Sequence, residues 1–182
     1  MPRLAPLTPA VMTQEQRALY ERILQGPRGT SSAGLIDSQG AIQGPFGPML
    51  CSPEVGEPLQ ALGAAIRFQT SMDPFVRECI TLLVARHEAS SYEWRSHEDL
   101  ARAAGVTEKD LTKIRGGEIP ALSDPVRLES LNFALTVLKD DLDGDADVRF
   151  SSALDERTMV EIVVLIGYYQ TLAKLLRVFK ID

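Results

Sequence analysis

The positions of helix caps, and the lack of any strand pattern, constrain the fold of this chain more than any other feature. No segment alternates apolar and polar residues over the length of a strand. Serine, threonine or aspartate instead precedes the apolar segments, often with proline next or Gln, Glu or Asp three residues later. These are signals of helix starts. The sequence therefore predicts an all-α fold.

The start and stop signals divide the chain into helices of ordinary length. The sequence predicts helices at about 14–25, 53–68, 74–87, 91–104, 108–114, 125–139 and 155–179. A proline-rich arm (1–13) precedes them, and a glycine-rich loop is expected over 26–52. At 182 residues with 45% hydrophobic content, residues 1–182 are expected to form a single domain.

Charge and composition exclude several classes of function. The net charge of −6 and the lack of a Lys/Arg cluster argue against nucleic acid as a partner. Two cysteines in apolar segments and no secretory signal indicate a cytoplasmic protein. The longest apolar run, 162–173, is shorter than a bilayer requires, so no membrane partner is expected.

Three ionisable residues near the middle of the chain form the candidate catalytic group. If Ser90 or Ser91 caps the second of two helices, Glu93 and His97 are four residues apart on one helix face. Glu78 lies on the preceding apolar helix, which must fold back through the short corner before Ser91. A carboxylate beside a histidine is a proton-transfer unit. Burial is expected to raise the pKa of Glu78.

Each of these residues also has a structural explanation. Ser90 and Glu93 fit a capping box, and His97 fits a satisfied, half-buried histidine. Glu78 fits a buried pair with an arginine such as Arg77. His87 ends the first helix, where it can contact the last carbonyls.

The surrounding motifs resemble the carboxymuconolactone decarboxylase family of the alkylhydroperoxidase D-like superfamily. The resemblance spans about 46–180 and rests on these segments: Arg77-Glu78, 82–86, Tyr92-Glu93-Trp94 with His97, 103–106, 114–117, 165–169 and 172–176. It implies an alkylhydroperoxidase D-like helical bundle that forms a homo-oligomer, commonly a trimer or hexamer. It also implies that the Glu78–His97 pair is a proton relay.

The chain departs from the peroxidase members of that superfamily. Those members carry Cys-x-x-Cys-x-x-x-His, and here Ser90 and Glu93 occupy the two cysteine positions. Neither side chain can cycle through a disulfide. Cys51 and Cys79 are expected to be small buried hydrophobes. The resemblance therefore implies the cysteine-free branch, whose decarboxylase acts on a lactone acid.

Decarboxylation of such an acid needs a carboxylate site and a proton donor. Arg77, Arg86 and Arg95 are candidates for the carboxylate, although each also fits a solvated helix-face charge. The remaining residues predicted to bind substrate are Tyr92, Trp94, Ser90, Phe46 and Met49. Phe46 and Met49 equally fit residues that only anchor the loop.

The expected function is an enzyme that acts by proton transfer on a small carboxylated lactone or related oxygenated acid. No cofactor is expected. The acidic segment 140–147 superficially resembles a calcium loop but lacks EF-hand spacing, so no metal site is expected either. The alternatives are a non-catalytic oligomeric or ligand-binding protein and a peroxidase-type enzyme that uses Cys79.

Overall fold

The computed structural model describes residues 2–26, 35–142 and 154–181. Within them the regular elements are eight helices: α1 (Gln14–Gln25), α2 (Phe46–Cys51), α3 (Pro53–Phe68), α4 (Pro74–His87), α5 (Ser91–Ala103), α6 (Glu108–Gly116), α7 (Pro125–Leu138) and α8 (Glu156–Phe179). The described residues contain no strand beyond an isolated bridge between Ile36 and Ile42. The prediction of an all-α fold is confirmed.

Side-chain caps account for most of the predicted helix starts. Thr13 and Thr107 form capping boxes at α1 and α6, and Asp73 and Asp124 cap α4 and α7 ahead of a proline. Ser52 precedes α3 as predicted, but its side chain makes no capping hydrogen bond. The proline at the first position of α3 has no N–H to cap, which reduces the need for a side-chain acceptor.

The prediction of a loop throughout 26–52 is wrong in its last part. Residues 27–34 lie outside the described part of the chain, whereas α2 occupies Phe46–Cys51. Gly47 and Pro48 favour a loop locally. Burial of Phe46, Met49 and Leu50 stabilises the helix instead, so tertiary packing overrides local propensity.

The described residues divide into two compact units. The first comprises the described residues within 1–70 and 174–182, and the second comprises those within 71–173. In the first unit α1, α2 and α3 pack against one another. Gly56 of α3 is required there, because a Cβ at this position would lie 2.3 Å from the Met49 carbonyl oxygen.

The second unit is built around α4, which packs against α5, α6 and α7. Every residue of α4 from Phe75 to Ala85 except Arg77 is buried. Surrounding helices therefore cover nearly its whole circumference, as its apolar sequence predicts. Glu78 lies within this buried stretch, so its carboxylate requires polar partners.

The last helix, α8, is long and apolar enough to cross a membrane by length and composition, unlike any other helix in the described residues. The apolar run of 162–173 alone underestimates this length, because the helix extends well beyond it on both sides. Such a signal is weak, since core helices of soluble proteins share it. Ile162, Leu165 and Ile166 are buried, as in a core helix.

Replacement of the α4 cap should destabilise the second unit. Asp73 accepts hydrogen bonds from the Phe75 and Val76 N–H groups and pairs with Arg127 at 2.9 Å. Loss of this cap in Asp73→Ala should lower the free energy of unfolding by about 1–2 kcal/mol. Asp73→Asn keeps a capping side chain but loses the charge, so its free energy of unfolding should fall by less. Urea denaturation measures both variants, and equal losses would contradict a dominant role for the cap.

Candidate functional site

The corner between α4 and α5 brings the candidate catalytic residues together. The Ser90 N–H donates to the Ala85 carbonyl at 2.8 Å, and Ala89 adopts a positive φ of 53°. Such a φ is uncommon for a residue other than glycine. The chain thus reverses within Glu88–Ser90, and α5 returns along α4.

Glu78 and His97 form a buried pair between these two helices. His97 Nδ1 lies 2.8 Å from Glu78 Oε2, and the two residues are only 6% and 2% exposed. In a site shielded from water, this contact is stronger than it would be on the surface. The pair joins α4 to α5 through their side chains.

Arg77 occupies the other oxygen of the same carboxylate. Its Nε donates to Glu78 Oε1 at 3.1 Å. Burial alone would raise the pKa of Glu78, but the hydrogen bond and charge of His97, with Arg77, outweigh it and hold that pKa below its ordinary value. The expectation of a raised pKa is therefore wrong, because it considered burial without the two cationic partners.

Glu93 lies on the opposite side of the imidazole. Its Oε2 is 3.8 Å from His97 Nε2, and Glu93 is buried. This separation is longer than a hydrogen bond but within the range of a charge interaction. His97 is thus flanked by a carboxylate at each ring nitrogen, as the spacing along α5 predicts.

Ser90 caps α5, as expected if Ser90 and Glu93 form a capping box. The Ser90 Oγ accepts from the Glu93 N–H at 3.3 Å, while the Ser90 N–H donates to Ala85. Thus the Ser90 N–H is already occupied by a backbone carbonyl. The capping box is therefore only half formed, and the Glu93 carboxylate faces His97.

Tyr169 is a neighbour of His97 that the sequence did not single out. Its ring meets the imidazole edge to face at a centroid distance of 5.0 Å, and it also contacts Tyr168 in the same way. Both tyrosines are buried in α8. Two sequence signals precede it: an aromatic pair in an apolar helix, which is also typical of a core, and a place in 165–169, one of the segments that carry the family resemblance.

A surface groove of about 500 Å³ lies at the N-terminal end of α5. Its lining residues are Ala85, Arg86, Ala89, Ser90, Ser91, Trp94, Arg95, Glu98 and Arg115. Arg115 stands over the Trp94 ring at 4.2 Å from its centroid and donates to Glu98 at 2.7 Å. Arg115 was absent from the sequence prediction, because its position beside Trp94 depends on how α6 packs.

The other residues predicted to bind substrate have different positions. Arg77 contacts Glu78 instead of lining the groove. Tyr92 is half-buried, and its pKa is raised first by this partial burial and then by the nearby charge of Glu93. Phe46 and Met49 belong to the first unit, where both are buried in α2.

The two thiols have unlike surroundings. Cys79 is fully buried, and burial raises its pKa to about 12. Cys51 belongs to the first unit and is exposed, so the expectation that both are buried is wrong for Cys51. In the described residues no group of three or more metal-binding side chains occurs, and most of the acidic segment, 143–147, lies outside them.

Comparison with known families supports the resemblance inferred from the motifs. Residues 53–135, which include Glu78, Glu93 and His97, match the model of the carboxymuconolactone decarboxylase family. This segment is similar to the carboxymuconolactone decarboxylase family. No curated protein matches the chain.

Two solved structures described as AhpD proteins are similar to this chain in fold. An uncharacterized peroxidase-related protein from Ralstonia eutropha, described as an alkylhydroperoxidase AhpD core, is 16% identical with a TM-score of 0.75. That match covers 100% of this chain and 91% of the other. A protein of unknown function from Agrobacterium tumefaciens, described as an antioxidant defence protein AhpD candidate, is 18% identical with a TM-score of 0.62. It covers 72% of this chain and 92% of the other.

Removal of the His97 ring should raise the pKa of Glu78. In His97→Leu the hydrogen bond and charge are both lost, which leaves Arg77 alone to oppose burial. An NMR titration of the Glu78 carboxyl carbon, assigned with Glu78→Gln, measures the shift. An unchanged pKa would contradict the role of His97 in keeping this carboxyl ionised.

The same shift predicts how stability depends on pH. A carboxyl with a lowered native pKa stabilises the fold fully above the ordinary glutamate pKa of about 4.3. It loses that contribution as the pH falls through the native value. The wild type should therefore lose its stability advantage over His97→Leu as the medium is acidified.

Proposed function

We propose that this protein is a proton-transfer enzyme of the carboxymuconolactone decarboxylase family that needs no redox cysteine. Its substrate is a small carboxylated lactone or related oxygenated acid. The observation that carries this proposal is the buried contact of His97 with Glu78, with Glu93 on the other side of the ring. Paired carboxylates around a histidine are suited to acid–base catalysis.

In this proposal each nitrogen of His97 has its own role. A lowered pKa keeps Glu78 ionised at neutral pH, so its carboxylate accepts a hydrogen bond and cannot donate one. His97 Nδ1 therefore carries a proton, and Nε2 is the nitrogen that exchanges protons with substrate. Glu93 Oε2, at 3.8 Å, stabilises the positive charge when Nε2 is protonated.

In the proposed reaction the bond between the substrate carbon and its carboxylate breaks. Carbon dioxide leaves, and the electron pair remains on carbon as an enolate conjugated with the lactone carbonyl. The imidazolium of His97 then delivers its Nε2 proton to that carbon. Glu78 holds the ring in place throughout and keeps its own charge.

The names of the structural neighbours favour a second candidate, a peroxidase-type function. The chain has cysteines at neither of the positions where peroxidase members of the superfamily carry them, since Ser90 and Glu93 stand there. Cys79 offers few thiolate anions because its pKa is raised to about 12. Both facts favour the proton-transfer proposal.

We further propose that the protein is a homo-oligomer, a trimer or hexamer, located in the cytoplasm. Support comes from α8, where Val160, Val163 and Val164 are exposed on successive turns. A strip of exposed apolar residues on a helix is typical of a subunit interface. AhpD-like proteins commonly form oligomers, which agrees with this assignment. The expectation of a single domain over 1–182 stays a prediction.

His97→Gln should abolish turnover while the protein stays folded, because the glutamine amide can still donate a hydrogen bond to Glu78. Wild type and His97→Gln are incubated with carboxylated lactones, simple lactones and hydroperoxides, and products are identified by mass spectrometry. Loss of carbon dioxide that falls about 100-fold or more in His97→Gln is expected, as for removal of a general acid. His87→Gln is the matched control, because His87 is exposed at the end of α4.

Other products lead to other conclusions. A hydrated or isobaric product that depends on His97 would indicate hydrolase or isomerase chemistry at the same site. Equal turnover by His97→Gln would refute the role of His97. Silence across the whole panel would favour a non-catalytic member of the fold, and a ligand that co-purifies would then be sought.

Loss of both thiols should leave turnover unchanged. In the double variant Cys51→Ser, Cys79→Ala the proposed proton transfer keeps all its participants. Decarboxylation within about twofold of wild type is expected, since surface and small core changes affect activity little. Hydroperoxide reduction that disappears in the double variant would instead establish the peroxidase candidate.

A further inference from the structure

The groove at the start of α5 carries more positive charge than the rest of the chain would suggest. The chain has a net charge of −6, yet Arg86, Arg95 and Arg115 line this one groove against a single acid, Glu98. Arg115 is paired with Glu98 at 2.7 Å. Within residues 2–26, 35–142 and 154–181, Arg86 and Arg95 form no ion pair with a carboxylate.

The guanidinium of Arg86 lies close against the backbone at Gly117. A Cβ at Gly117 would lie 2.9 Å from Arg86 Cζ and 3.1 Å from its Nη2, so the guanidinium rests directly on the backbone there. Gly117 also has a φ of +81°, which suits glycine. The Arg86 guanidinium therefore lies at the edge of the groove against backbone that carries no net charge.

Trp94 and Arg115 give the groove a flat wall. The guanidinium carbon of Arg115 lies 4.2 Å from the centroid of the Trp94 ring, a distance typical of a stacked cation–π contact. Guanidinium groups and indole rings both bind flat, unsaturated groups by stacking. The wall is therefore suited to a planar ligand.

We propose that this groove binds a small planar organic carboxylate. Arg86 and Arg95 bind the carboxylate, and the planar part of the molecule lies against the wall of Trp94 and Arg115. The proposal rests on the proposed function in one respect, namely that the anion is the substrate of His97. Ser90 lines the groove and caps the helix turn that carries Glu93, so the groove and the proton-transfer group share this turn of α5.

The position of Trp94 makes binding directly measurable, because it is the only tryptophan in the chain. The full-length protein is titrated with benzoate while the tryptophan fluorescence is recorded. Benzamide tests the need for charge, since it has the same shape and is neutral. Cyclohexanecarboxylate tests the need for planarity, since it has the same charge and is not flat.

Three arginine variants locate the carboxylate. Arg86→Gln and Arg95→Gln should each weaken benzoate binding about tenfold or more, the effect of losing a charged hydrogen bond. Arg86→Lys keeps the positive charge but lacks the planar guanidinium, so it should weaken benzoate binding less than Arg86→Gln does. Arg157→Gln is the matched control. It removes the same charge from α8, where Arg157 pairs with Glu161. Its affinity for benzoate should match that of the wild type.

Several results would overturn the proposal. These are a lack of any saturable fluorescence change with benzoate, equal affinity for benzamide, and equal weakening by Arg157→Gln and Arg86→Gln. Affinity for cyclohexanecarboxylate equal to that for benzoate would overturn the planar part of the proposal.

Titration of His97→Gln separates this proposal from the catalytic one. Benzoate should bind this variant as tightly as the wild type. Arginine-dependent binding without turnover would sustain the groove and refute the function. Turnover that depends on His97, together with benzoate binding that the arginine substitutions leave unchanged, would support the proposed function and refute the groove.

Discussion

The contact between Glu78 and His97 is the interaction on which the second unit depends. An ionised carboxylate in the middle of the most buried helix is costly, and it persists because Arg77 and His97 each take one of its oxygens. Removal of one partner from such a group typically costs about 3–5 kcal/mol. The same contact closes α5 onto α4 and orients the imidazole, so stability and the proposed chemistry rest on one pair of side chains.

Much of the fold follows from local chemistry in the sequence. Thr13, Asp73, Thr107 and Asp124 each cap the helix that their positions predict. The helix at Phe46–Cys51 was missed because its stability comes from burial, which a glycine- and proline-containing segment does not reveal. Local signals identify helices that begin with a cap and overlook helices held only by their neighbours.

The candidate site was predictable only in part, for a similar reason. Spacing along one helix brings Glu93 and His97 together, and the apolar setting of Glu78 implies a partner for it. Tyr169 and Arg115 come from other helices, and although both lie in segments that carry the family resemblance, nothing there indicates contact with His97 or Trp94. The direction of the Glu78 pKa also depends on partners, since burial and paired charges act in opposite senses.

The contact between Gly117 and Arg86 has a consequence for the divergence of related sequences. Gly117 touches no proposed ligand, yet any side chain there would displace the tip of Arg86 from its resting place. A substitution of Gly117 would thus change which anions the proposed groove binds, although every charged residue stayed the same. Related proteins that keep these arginines but have another residue in place of Gly117 are expected to bind different carboxylates.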